Sequence, residues 1–76
     1  NGDYVVIDKS LEANDGDYIA AYVDGEFTLK QFKRDPQNNC AWLIPHNSEY
    51  KPIKVTEEND FMVWGVVTNI IRRLIK

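Results

Sequence analysis

One cysteine, Cys40, is the whole thiol content of the 76 residues. An internal disulfide framework is therefore excluded, and the expectation is a reducing, cytoplasmic compartment. No basic-then-apolar leader opens "NGDYVVID", and no apolar run approaches the roughly 18 residues of a membrane helix. Heptads, internal repeats and low-complexity tracts are missing as well. Positive charge is scarce: 9 basic side chains stand against 12 acidic ones, a net charge of −3. That balance argues against direct grip on duplex DNA through its phosphates. The length allows one domain at most, residues 1–76, and such a chain buries only about 60% of its extended surface. The first residue is Asn1, not Met, and a strand is already under way at residue 4. The expectation is a fragment or processed product of a longer polypeptide.

What the sequence does hold is a series of short β-branched runs between turn signals. "YVVI" (4–7), "YIAAYV" (18–23), "EFTLKQFK" (26–33), "CAWLI" (40–44), "IKV" (53–55) and "FMVWGVVTNII" (61–71) read as strands. "NDGD" (14–17), "RDPQNN" (34–39), "PHNSEYKP" (45–52) and "TEEND" (56–60) read as turns and loops. Asp24-Gly25 between two apolar runs is the strongest hairpin signal. Gly65 inside the last run predicts a bulge or bend. A helix from Val67 to Lys76 fits the spacing of Val67, Ile70, Ile71 and Leu74, but β-branching favours strand there. The class is all-β.

Lys30 stands between Leu29 and Phe32 near the middle of the third run. Strand alternation puts Glu26, Thr28, Lys30 and Phe32 on one side and Phe27, Leu29, Gln31 and Lys33 on the other. Both sides are mixed. From composition alone, Lys30 reads as a surface lysine with its stem on the sheet and its head in water. Other candidates carry less. His46 with Cys40 lacks further ligands at zinc spacing. Ser48 and His46 are neighbours with no reason to be aligned, and neither Ser10 nor Ser48 sits in a nucleophile turn. "TEEND" lacks the alternating ligands of a calcium loop. Arg72, Arg73 and Lys76 form a short basic tail. Trp42, Trp64, Phe27, Phe32 and Phe61 read as core filler, since a stacking platform would need basic residues interleaved with them.

The ordered set "GDYVVIDKS", "NDGDYIAAYVDGEFTLKQF", "LIPHNSEYKPI" and "VWGVV" resembles the LexA-type serine peptidase family, which spans the LexA repressor, phage repressors and UmuD. The resemblance covers nearly the whole chain. "AAYVDGEFTLK", "IPHNSEYKPI" and the tail "VWGVVTNIIRRLIK" are nearest the UmuD branch.

This resemblance implies small, strongly bent antiparallel sheets of the LexA and signal-peptidase-like fold, with no cofactor and no metal. It makes Lys30 the general base of a Ser–Lys dyad. Burial disfavours an ammonium, and a neutral amine can take the proton of a serine hydroxyl; an arginine could not. The family's nucleophile lies in a Ser-Met turn upstream of the segment matching "NGDYVVID". The 76 residues would then be a truncated peptidase domain holding half a dyad and be inactive alone. The parent would be a latent autopeptidase whose cleavage is promoted by a RecA–single-stranded DNA filament. In the UmuD branch the processed homodimer joins a UmuC-type polymerase in translesion synthesis. The alternatives are the cleavage and dimerisation domain of a LexA-like or phage repressor, or a non-catalytic β interaction domain. The strand 61–71, apolar on both sides of its alternation, is the expected dimer contact.

Overall fold

Asp24 and Gly25 both adopt positive φ, 49° and 91°, the pair of left-handed residues that a two-residue primed hairpin turn requires. The hairpin they close is the centre of the molecule. The computed structural model describes residues 4–71; the basic tail at Arg72, Arg73 and Lys76, and the second half of the alternative helix, lie outside the described residues. Six strands form one antiparallel sheet: β1 (Tyr4–Asp8), β2 (Tyr18–Val23), β3 (Glu26–Asp35), β4 (Cys40–Ile44), β5 (Ile53–Val55) and β6 (Phe61–Ile71). Their order across the sheet is β1-β6-β2-β3-β4-β5. The all-β class holds, and Val67 to Ile71 are strand rather than helix. Among the described residues no helix is long and apolar enough to cross a membrane.

The loop expected over 34–39 is partly strand. β3 runs on to Asp35, a 3-10 turn follows at Pro36–Asn38, and Asn39 reverses the chain with φ 56°. Proline with its fixed φ starts that turn, and asparagine tolerates the left-handed position that ends it.

One face of the sheet makes the core. Ile19 and Leu43 are fully buried, joined by Ala13, Ala21, Val23, Phe32, Val55 and Val66. Phe61 stacks on Phe32 with ring centroids 6.5 Å apart. The expectation that all five large aromatics fill the core is corrected here. Phe27 and Trp64 are exposed, at 49% and 37%, because strand alternation carries them to the opposite face.

β6 departs from strict alternation twice. Val63 faces Ala21 and Gly65 faces Ala20, so Trp64 is an extra residue against β2. Val67 faces Ile7 and Asn69 faces Val6, so Thr68 is an extra residue against β1. Both are bulges, and each moves the following residues to the other face. Val66, placed by simple alternation with Met62 and Trp64, instead lies in the core, with the half-buried Val63 packed against it. Gly65 sits where β1 crosses close above: a Cβ there would meet Ile7 Cγ2 and stand 3.2 Å from the Asp8 carbonyl oxygen. The expected bend at Gly65 is thus a close approach of two backbones.

Candidate active site

Lys30 lies opposite Ile19 across the β2–β3 pair, on the face that also carries Thr28 and Phe32. Its neighbours on that face are apolar, and Lys30 is half-buried rather than fully extended into water. Its Nζ donates to Thr28 Oγ1 at 2.6 Å. Strand alternation makes this contact possible: residues 28 and 30, two apart on β3, stand side by side on one face.

Lys30 and Thr28 form one wall of an open cleft of about 610 Å³. The hairpin contributes that wall through Val23, Glu26 and Phe27, while Pro45, Tyr50, Lys51 and Ile53 contribute the other. The second wall has its own local cause. Asn47 accepts the Glu49 backbone N–H on its side chain at 2.9 Å, and its carbonyl accepts the Tyr50 N–H at 3.1 Å. This asparagine turn folds segment 45–52 into an arch, and the short pairing of Ile53 with Leu43 returns the chain beside the cleft. Asp24 holds the far end: its carboxylate accepts from Asn59 Nδ2 at 2.8 Å and the Asp60 N–H at 2.9 Å. "TEEND" is thereby a turn tied to the hairpin tip.

The remaining sequence candidates separate from this cleft. Ser10 is exposed and donates its hydroxyl to Asp8 at 2.6 Å, an arrangement that holds the Asp8 carboxyl below its ordinary value. His46 and Ser48 are exposed in the arch, and neither lines the cleft. Cys40 lies beyond the 3-10 turn; partial burial, then the nearby Asp35 charge, push its thiol upward, opposite to what a reactive thiolate requires. Asp35 accepts from Asn38 Nδ2 and from the Trp42 indole N–H, each at 2.9 Å, and those bonds lower its carboxyl. Two cleft residues were not singled out from sequence. Thr28 had a signal, being two positions before Lys30 on one strand. Tyr50 had none, since its place depends on the arch.

Chemically, the cleft is an open groove beside a strand, roomy enough for an extended chain, with one amine held by a hydroxyl in its wall. Residues 1–68 match the Peptidase S24-like family. The chain is 40% identical over 74 residues to the LexA repressor of Streptomyces clavuligerus, covering 97% of this chain and 29% of that protein. It is 42% identical over 74 residues to the LexA repressor of Mycobacterium sp. (strain KMS), covering 97% and 30%. With the LexA repressor of Mycobacterium leprae (strain Br4923) the identity is 43% over 74 residues, covering 97% and 29%. The chain thus spans less than a third of the length of these curated relatives.

Proposed function

Since the chain belongs to the Peptidase S24-like family, we propose that it is the Lys-bearing part of a self-cleaving LexA-type peptidase domain, with Lys30 as general base. The observation that carries this reading is the placement of Lys30: half-buried on the core face, its Nζ fixed by Thr28 Oγ1, in the wall of a groove that fits an extended peptide. In the base form its Nζ takes the proton of a serine Oγ supplied by the segment upstream. That Oγ bonds to the scissile carbonyl carbon, the C–N bond breaks, and Lys30 returns the proton to the leaving amine. Water then hydrolyses the ester.

The relatives favour the repressor reading, in which this domain follows a DNA-binding domain and its cleavage inactivates the repressor in the bacterial cytoplasm. Contact with a RecA–single-stranded DNA filament would promote the reaction. A second reading is favoured by "AAYVDGEFTLK" and "IPHNSEYKPI": a UmuD-type protein with a short arm, whose processed dimer partners a UmuC-type polymerase. The upstream coding sequence separates the two, as a helix-turn-helix domain or a short arm. In both, β6 contributes to a two-fold homodimer.

The test is self-cleavage of the full-length protein, followed by mass at alkaline pH and with activated RecA filament. Lys30→Ala and Lys30→Arg should each abolish cleavage while circular dichroism is unchanged. Undiminished cleavage in Lys30→Ala sinks the assignment.

A further inference from the structure

The face of the sheet opposite Lys30 is built from rings and lysines that the linear sequence keeps apart. Register brings Phe27, Tyr22 and Met62 into one row across β3, β2 and β6, with Trp64 bulged beside them. The Tyr22 and Phe27 rings meet edge-on at 5.1 Å, and Phe27 meets Trp64 at 6.1 Å. Lys9 arrives from the end of β1 and places its Nζ 4.7 Å from the centre of the Trp64 ring. Further along the same face, Lys33 and Lys54 flank Trp42 across β3, β4 and β5. Tyr18 is exposed between the two groups.

We propose that this face binds single-stranded nucleic acid. Such surfaces combine exposed aromatic rings, on which bases stack regardless of sequence, with cations that follow the backbone. Both are here and interleaved: Lys9 with the exposed Trp64, and Lys33 and Lys54 with the half-buried Trp42. The rows between Phe27 and Lys33 span six residues of strand, on the order of 20 Å at the rise of a β-strand. A single strand offers free base faces over that distance; a duplex hides its own. An apolar peptide would satisfy the rings but bring no negative charge to the lysines.

The acidic composition does not cancel the patch. Asp24 and Asp60 sit together at the hairpin tip, while Glu57 and Glu58 lie beside Asn38 and Asn39 at the far end of β3. The Asp35 carboxylate is engaged by Trp42 and Asn38. Lys33 meets Asp15 at 3.9 Å with both side chains half in water, a pairing weak enough for a phosphate to displace.

The experiment measures anisotropy of a labelled oligo-dT with the full-length protein across a salt series. Binding is expected, weakening as salt rises. Trp64→Leu keeps apolar bulk but removes the ring, and should weaken it by roughly five- to a hundredfold, the range of one stacked base. Joint replacement of Lys9, Lys33 and Lys54 by Gln should flatten the log–log salt slope by about 2, at about 0.7 per phosphate contact. Binding to a duplex of equal length should be unmoved by either change. No oligo-dT binding at low salt, or binding indifferent to both sets of substitutions, overturns the proposal. So does a Trp64→Leu protein that keeps its oligonucleotide affinity but changes its sedimentation, which would make this face a contact between protein chains.

Discussion

Gly65 shows how much one hydrogen can decide. The backbone of β1 passes over it with the Asp8 carbonyl 3.2 Å from the position a Cβ would take. Ile7 can turn its methyl aside, but the carbonyl is backbone and moves only with its strand. Gly65→Ala should therefore destabilise the fold by about 1–3 kcal/mol, the usual cost of overpacking, read from denaturant midpoints at unchanged slope. Asp35 makes a second residue-scale prediction. Its carboxyl is lowered chiefly by Asn38, then by Trp42. A lowered carboxyl contributes stability that is present above its ordinary value of 3.8 and is lost as pH falls through the folded value beneath it. Trp42 fluorescence should change in that acid range, and Asp35→Asn should erase the transition. Lys30 illustrates what residues alone conceal. Its neighbours in sequence left both faces of β3 open, and the deciding facts were Ile19 across the sheet and Thr28 beside it.

At the scale of elements, the strands were legible because their signals are local. The bounds of β2, β4, β5 and β6 are those the sequence predicts, and Asp24-Gly25 names its turn, since both residues accept positive φ. β6 resisted for an equally physical reason. A bulge adds a residue with no mark in hydrophobicity, so alternation read from Phe61 goes wrong after Trp64 and again after Thr68. The exposed aromatic face was hidden by the same fault, together with pairings that only register supplies. The bulges also sharpen the association test. A charge at Val66 would strike the core, whereas Ile70 is 65% exposed on the stretch of β6 that reaches past β2 and pairs with β1 alone. If the full-length protein pairs through β6 as proposed, Ile70→Glu should make it monomeric in sedimentation at micromolar concentration without lowering its unfolding midpoint. Dimers that persist would place the contact elsewhere.

For the whole molecule, the dimensions are 48 × 31 × 22 Å with a radius of gyration of 13.3 Å, above the roughly 11 Å typical of a compact chain of this length. The sheet is open, its core lies on one face, and two large side chains are fully enclosed. That architecture suits a part that leans on other surfaces, whether a second copy along β6 or an extended segment in the Lys30 cleft. The pairing of Tyr4 with Ile71 has a temporal consequence. These partners lie 71 − 4 = 67 positions apart, so β1, the first made of the six described strands, has its one described sheet neighbour in β6, the last made of them. At about 5–20 residues per second, β1 waits several seconds without a partner, while the β2–β3 hairpin can close as soon as it emerges. Contacts this distant in sequence also slow the final search. A nascent chain arrested before Phe61 should show its hairpin protected from protease and its first strand cut freely, and release of the remaining residues should close both together.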